Sequence, residues 1–270
     1  MTWMDLTFII PTRIETEDRL RNIISSVSYL LKHVPAKIIV KEVAPHNTFK
    51  HRAIPEIKKY ADTTNLTSLF EETDAPLFCK SKVLNDLIVA ADTKVVANYD
   101  ADCILPVNSY YQAYEGIEKD KADVVYPYGC GIYQWKAAYD MDIYNQFVNT
   151  LSTDVLDKNK TLSNSTIGWT QFVNRQRYID CFMMNENFVS WGCEDDEFYF
   201  RMSTLGNRIG RLETYVYHLE HSRTHNSWFT SPKFNDNYQL WNKIKTFDRR
   251  QLVEYYEKQD YLKTRRKQLA

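Results

Sequence analysis

Glycine is scarce in this chain, seven residues in 270, and neither G-x-G-x-x-G nor G-x-x-x-x-G-K-[ST] occurs. A dinucleotide-binding fingerprint and a P-loop are thereby excluded at the level of motif. The five cysteines, Cys79, Cys103, Cys130, Cys181 and Cys193, are scattered and never stand in C-x-x-C spacing. That argues against a zinc knuckle and a disulfide framework and leaves reduced thiols. Neither sign of charge dominates, with Lys+Arg 34 against Asp+Glu 35, so nucleic acid is not an expected partner. No apolar run approaches the roughly 18 residues that suggest a transmembrane helix. The start, Met1–Asp5, lacks the basic region of a signal peptide. A cytoplasmic protein is the expectation.

What is present is a globular composition, 44% hydrophobic and 26% charged, with no linker or repeat dividing it. Leu6–Ile10 is a short apolar run ending at Pro11, and between Glu17 and Val34 the residues Leu20, Ile23, Ile24, Val27, Leu30 and Leu31 recur at helical spacing. This reads as strand, loop, helix. Lys37–Val43 reads as a strand, Phe78–Ala91 as a helix, and Lys94–Tyr99 as a strand that breaks into Asp100-Ala-Asp102. Strands alternating with helices predict an α/β layered domain whose ligands sit at the carboxyl ends of the strands. Further on, the patterns predict strands over Ala122–Tyr128, Thr170–Asn174 and Tyr215–Leu219 and helices over Asp140–Val155 and Glu194–Leu205. The polar stretch Lys158–Ile167 suits a loop or lid. Lys243–Ala270, with nine Lys/Arg against four Asp/Glu, is a mildly basic helical tail. Its Lys263–Lys267 run reads as a solvated helix end, with peripheral membrane contact at most.

Three clusters carry chemistry. Asp100 and Asp102 stand where a strand stops, so both carboxylates can enter one cleft, and oxygen-rich pairs of this kind hold Mg²⁺ or Mn²⁺ beside a diphosphate. Taken alone, D-x-D also suits a solvated turn. Trp191-Gly-Cys-Glu-Asp-Asp-Glu197 places four carboxylates in a row, which repel unless they meet a helix N-terminus or a cation; an acidic first turn is the plainer alternative. His218-Leu-Glu-His221, with Arg223 and His225, gathers three of the six histidines within eight residues. Imidazole suits borderline metals, and arginine suits phosphate oxygens.

In order along the chain, these pieces resemble the inverting β-1,4-galactosyltransferase type of GT-A glycosyltransferase and the related bacterial chondroitin-polymerase-like enzymes. Pro11-Thr-Arg13 resembles the P-F-R nucleotide loop, and Phe78-Cys-Lys-Ser-Lys-Val-Leu-Asn85 the F-N-R-A-K-L-L-N helix start. Asn98–Pro106 resembles the strand bearing D-x-D. Trp191–Glu197 resembles W-G-G-E-D-D-D, and His221-Ser-Arg223 the H-S-R that follows. The likeness runs from about residue 6 to residue 225.

The resemblance implies a GT-A fold, a Rossmann-like mixed sheet flanked by helices. Residues 1–230 would form the glycosyltransferase domain, 1–105 its nucleotide-binding half and 106–230 its acceptor and catalytic half, with a helical extension over 231–270. It implies that Asp102 and His221 bind Mn²⁺ or Mg²⁺, joined by His218 where the family has methionine, a change that would alter metal preference. Pro11, Arg13, Lys80, Asp100, Trp191 and Arg223 would hold the UDP-sugar, and Trp191 and Asp196 the acceptor. Asp195 would be the catalytic base, assisted by Glu194. Thr12, Glu15, Lys80 and Cys193 depart from the family pattern, and the family's Golgi anchor has no counterpart, so a bacterial or viral cytoplasmic relative is the expected comparison. The implied reaction transfers a hexose or N-acetylhexosamine, galactose-type favoured, from a UDP-sugar to a glycan or lipid-linked saccharide, as in polysaccharide biosynthesis. The residues alone also admit a two-metal phosphoesterase or a non-catalytic sugar- or nucleotide-binding module.

Overall fold

The computed structural model describes residues 4–163 and 166–269; Met1–Trp3 at the chain start lie outside the described residues. Eleven strands follow in chain order among them: β1 (Leu6–Thr12), β2 (Lys37–Ala44), β3 (Leu66–Glu72), β4 (Val95–Tyr99), β5 (Cys103–Ile104), β6 (Val124–Tyr126), β7 (Gln134–Ala137), β8 (Lys160–Leu162), β9 (Thr170–Asn174), β10 (Ile209–Arg211) and β11 (Val216–Leu219). The helices are α1 (Glu17–His33), α2 (Ile54–Ile57), α3 (Lys80–Ala90), α4 (Val107–Glu118), α5 (Met141–Thr150), α6 (Asp154–Asp157), α7 (Arg175–Asp180), α8 (Glu194–Thr204), α9 (Phe234–Ile244), α10 (Arg249–Glu257) and α11 (Asp260–Leu269).

The large sheet has seven strands in the order β10-β6-β9-β4-β1-β2-β3. Strands β1 to β4 run parallel, and β9 is antiparallel to both β4 and β6. Every residue of β1 and β4 is buried, as expected of central strands covered by helices on both faces. Strand β1 pairs with β2 on one side and β4 on the other, so the winding reverses beside it, and a crevice opens at the carboxyl ends of β1 and β4. Pro11–Arg13 and Asp100–Asp102 stand at those ends.

A second sheet, β5-β11-β7-β8, contributes His218 of β11 to the lining of this crevice. Its antiparallel β5–β11 register sets Tyr217 against Ile104 and His218 against Cys103. The pairing carries the histidine segment to the D-x-D turn.

Three expectations need correction. Residues 158–167 are not simply a loop: Lys160–Leu162 forms β8 on β7, pairing Trp135 with Leu162. The Lys160 ammonium lies 4.5 Å from the Trp135 ring centroid, which pins the strand. Asn164 and Ser165 of the expected lid lie outside the described residues. The single helix expected over 140–155 ends at Thr150, because Leu151 takes a left-handed conformation with φ 49°, and α6 follows separately.

The basic tail is only partly a solvated end. Arg265 is buried; its Nε donates to Glu186 Oε1 at 2.8 Å and its Nη1 pairs with Asp86. Helices α9 to α11 share a small apolar cluster in which Ile244, Leu252, Tyr256 and Leu262 meet Phe182 and Phe188. Beneath it, Arg201 and Glu197 pair at 2.8 Å with both side chains fully buried, and the Tyr256 hydroxyl also donates to Glu197. Removing one partner of such a pair costs about 3–5 kcal/mol. Helix α8, which begins with the acidic run, is thereby held firmly against the helices that follow.

Candidate active site at the sheet's carboxyl edge

Asp102, His218 and His221 converge: one ligand atom from each lies within 4.8 Å of the others. His221 Nε2 is 2.9 Å from Asp102 Oδ2, and His218 Nε2 is 3.7 Å from the same oxygen. Both rings are oriented from behind. His218 Nδ1 meets Glu220 Oε1 at 3.0 Å and His221 Nδ1 meets the Ser222 carbonyl at 2.9 Å, so each ring presents Nε2 to Asp102, the arrangement by which outer carboxylates and carbonyls orient metal-binding histidines. Trp169 stacks on His218 with centroids 5.6 Å apart. The Leu219 N–H donates to the Asp102 carbonyl at 2.7 Å. Burial works to raise the Asp102 carboxyl, but His218, His221 and Arg19 outweigh it and hold the group ionised. A carboxylate and two imidazoles fit Mn²⁺ or another borderline divalent ion, and a set of three leaves positions open for phosphate oxygens.

A second cluster adjoins the first. Lys80, at the start of α3, places its Nζ 2.9 Å from Asp100 Oδ1 and 3.5 Å from Asp195 Oδ2. Burial opposes the charge on Lys80, yet Asp100, Asp195 and Glu194 overcome it and raise its pKa well above the usual value. Asp100 is pushed up to about 6, by burial first and by the charge of Asp102, with Lys80 opposing. Asp195 is raised well above the usual carboxylate range by burial and by Glu194, Asp100 and Asp196, again against Lys80. A carboxylate with raised proton affinity facing a cleft is a candidate general base. Glu194 is buried and accepts the Gly192 N–H at 3.0 Å, which fixes the turn into α8.

Gly168 was not singled out by any motif, yet Asp195 depends on it. A Cβ at this position would lie 2.2 Å from Asp195 Oδ2, closer than any real contact. Gly168→Ala must therefore displace the carboxylate. Because a displacement of about 1 Å can cost roughly 10²-fold in rate, this variant is expected to lose about that factor in kcat while its melting temperature changes little. Unchanged turnover would show that the position of Asp195 does not matter to the chemistry.

The remaining sequence-derived residues fall into two groups. Pro11, Arg13, Lys80, Asp100, Trp191, Glu194, Asp195 and Arg223 line the same cleft as the three metal-ligand candidates. Asp196 does not: its side chain is exposed, outside that lining. Glu15, a departure from the family pattern, has a clear role. It accepts hydrogen bonds from Thr224 Oγ1 at 2.7 Å and Asn226 Nδ2 at 2.9 Å, tying the segment after His221 to the first loop. Asp18 does the same for Ser222, accepting from its N–H and its hydroxyl at 2.6 Å each.

Arg19 also lines the cleft and was missed. Its Nε and Nη2 are buried with no partner, as is Arg13 Nη1, and buried guanidinium donors left unpaired are costly unless a ligand supplies the acceptor. A signal existed in the sequence. Arg19, Asn22 and Ser26 recur at i, i+3, i+7 on one face of α1, and Asn22 and Ser26 donate to the carbonyls of Leu219 and Ala101. That face of α1 looks onto the D-x-D turn.

Comparison with known proteins supports the fold. A family model described as the N-terminal domain of galactosyltransferase matches residues 158–222. No curated protein sequence matches the chain significantly. Among solved structures, TarS 1–349 of S. aureus in complex with UDP-GlcNAc is similar at TM-score 0.59 and 16% identity, over 89% of this chain and 65% of that one. GalNAc-T7 with UDP, GalNAc and Mn²⁺ is similar at TM-score 0.60 and 14% identity, over 90% of this chain and 48% of that one. The mannosyltransferase PcManGT from Pyrobaculum calidifontis, in complex with GDP-Man and Mn²⁺, gives TM-score 0.50 and 15% identity over 82% and 57%. The chain thus spans about half to two thirds of these three chains. Among the described residues no helix is long and apolar enough to cross a membrane.

Proposed function

We propose that this chain, whose fold is that of the GT-A glycosyltransferases, is a metal-dependent inverting glycosyltransferase. It would move a hexose or N-acetylhexosamine, galactose-type favoured, from a UDP-sugar to a hydroxyl of a glycan or lipid-linked saccharide. One observation supports this most: Asp102, His218 and His221 share a cleft with Asp195, beside arginine donors that lack protein acceptors. A two-metal phosphoesterase would need a second ligand cluster, and the described residues hold one such group.

Asp102, His218 and His221 would hold Mn²⁺ or Mg²⁺, and the ion when bound supplies Lewis-acid stabilisation of the departing diphosphate. Arg13, Arg19 and Arg223 offer donors to phosphate oxygens. Lys80 spans Asp100 and Asp195, so it positions both carboxylates relative to the donor sugar. Asp195 takes the proton of the acceptor hydroxyl as that oxygen attacks the anomeric carbon. Attack from the face opposite the diphosphate inverts the centre, turning an α-linked donor into a β-linked product. Trp191 lines the cleft where the two sugars would meet.

The test is a panel of UDP-sugars with Mn²⁺ or Mg²⁺, read by thermal shift, UDP release and the anomeric configuration of the product. UDP and Mn²⁺ together should raise the melting temperature more than either alone, and one UDP-sugar should give acceptor-dependent UDP release with a β-linked product. Equal hydrolysis of UDP-sugars and simple phosphoesters without acceptor would sink the transferase reading. Retention of configuration would sink the inverting one.

A further inference from the structure

Lys80 and Asp195 meet in the cleft but come from different elements. Lys80 opens α3, and Asp195 follows an irregular connector, residues 181–193, into α8. The connector begins with two left-handed residues, Phe182 at φ 73° and Met183 at φ 56°, a conformation that persists where surrounding contacts impose it. Those contacts come from α3 and from the C-terminal helices. Asn85 of α3 brackets Met184: its Nδ2 donates to the Met184 carbonyl at 3.0 Å, and its Oδ1 accepts the Met184 N–H at 2.8 Å. From the other side, Asn185 Nδ2 donates to the Tyr256 hydroxyl at 3.0 Å and Asn187 Nδ2 to Gln259 Oε1 at 2.8 Å. Asn237 Nδ2 of α9 donates to the Val189 carbonyl at 2.9 Å.

Arg265 of α11 joins the two sides. It is 5% exposed, and its Nε donates at 2.8 Å to Glu186 Oε1, the oxygen that also accepts from Asn85 Nδ2 at 2.9 Å. Its Nη1 pairs with Asp86 of α3, and its Nη2 donates at 3.3 Å to the carbonyl of Lys82, two residues beyond Lys80. Asp86 is held in turn by Lys41 of β2 at 2.6 Å. The planar fork of a guanidinium thus bonds the connector and the start of α3 at once, a geometry that the point charge of lysine does not reproduce. Arg265 is not among the described residues lining the cleft, so its influence on a reaction there passes through the groups it holds.

We infer that Arg265 is a positioning residue for the transfer reaction: by clamping Glu186 of the connector to Asp86 and the first turn of α3, it sets Lys80 against Asp195. The inference rests on the transferase reading above and gives the helical extension over 231–270 a part in the chemistry. The charged and titratable groups around Asp195 are Lys80 of α3, Asp100 at the end of β4, Glu194 and Asp196 of α8, and the phenols of Tyr126, Tyr128 and Tyr178. Arg211 lies over the first two of those rings. Lys80 is the cation that reaches the Asp195 oxygens, at 3.5 Å, so loosening the clamp weakens what favours the ionised carboxylate.

The experiment compares wild type, Arg265→Met, Arg265→Lys, Lys80→Met and the Lys80→Met/Arg265→Met double variant in acceptor-dependent UDP release across pH. UDP affinity in Mn²⁺ is measured by calorimetry on the same samples. Arg265→Met should lower kcat about tenfold, part of the roughly 10²-fold that a 1 Å misplacement can cost, while UDP affinity stays within about twofold of wild type. The rise of kcat/KM that follows ionisation of Asp195 should move roughly 0.5 unit to higher pH. Arg265→Lys should shift the same way by less, and it carries the comparison if the methionine variant does not fold. In the Lys80→Met background, Arg265→Met should add less than about a twofold loss, as expected of residues acting through one another. Unchanged kcat and an unchanged pH profile overturn the inference. So do a fall in kcat with the profile in place, equal losses of kcat and UDP affinity, and losses that multiply in the double variant. If wild type shows no acceptor-dependent release, the transferase reading fails separately. The clamp is then judged by hydrogen exchange over residues 80–90 and 184–195, which should be faster in Arg265→Met; unchanged exchange overturns it.

Discussion

Asp102→Asn should lower kcat/KM by about a thousandfold or more at saturating Mn²⁺, since loss of Lewis-acid stabilisation forfeits several kcal/mol of the barrier reduction. The substitution preserves shape and removes charge. Asp102 contributes the carboxylate of the three converging side chains, and without it two imidazoles would face a divalent ion and a diphosphate with no carboxylate to balance them. The histidines should stay in place, because Glu220 and the Ser222 carbonyl hold their far nitrogens. The local backbone should stay as well, because it is the Asp102 carbonyl, not its side chain, that pairs with Leu219. The loss should therefore appear in metal-dependent UDP binding, seen by calorimetry, with the circular dichroism of the fold unchanged. If the asparagine variant binds UDP with wild-type dependence on Mn²⁺, the ion lies elsewhere and the convergence of these three residues has another purpose.

What the sequence made legible follows from how local each signal is. Strands β1, β2 and β4 and helix α1 stand out because central parallel strands are apolar on both faces and the covering helix repeats its apolar residues at 3.6. The acidic run was readable as the start of α8 because carboxylates favour a helix N-terminus. The second sheet was largely invisible. Strand β5 has two residues and β8 three, and such short strands exist by virtue of partners far away in the chain. Lys160–Leu162 is polar enough to pass for a loop, and only its pairing with β7 makes it a strand. Edge strand β3 was missed for a related reason: Leu66-Thr-Ser-Leu-Phe-Glu-Glu72 is half-buried at best, with Thr67 and Glu72 exposed and no alternation to mark it.

The candidate site divides in the same way. Residues bearing the chemistry lie in compact runs that a reader can notice, whereas residues that position them do not. Gly168 matters because of a close approach to Asp195, twenty-seven positions later in the chain. Glu15 looked like a lost basic residue, yet its carboxylate binds Thr224 and Asn226, some two hundred residues away. Neither contact has a local signature. Arg19 is intermediate: the recurrence of Arg19, Asn22 and Ser26 on one face of α1 is visible in the sequence, but its meaning depends on knowing which turn that face meets.

Asp195→Asn separates binding from chemistry. The amide keeps the shape of the carboxylate and can still accept from Lys80, so UDP affinity should hold while kcat falls by about 10²–10⁴, the usual contribution of a general base. The pH profile gives an independent check. Burial, together with Glu194, Asp100 and Asp196, raises the Asp195 pKa, and Lys80 only partly offsets them. The acid form cannot take a proton from the acceptor, so wild-type kcat/KM should climb with unit slope as pH rises through that raised pKa, above the ordinary carboxylate range, and then level off. Removing the opposing charge by Lys80→Met should move the climb to higher pH, the direction expected when a nearby cation no longer favours the ionised form. In the asparagine variant the climb should vanish, leaving a low, flat rate. If the climb instead persists in that variant, another group accepts the proton, and Asp195 serves only to orient the acceptor.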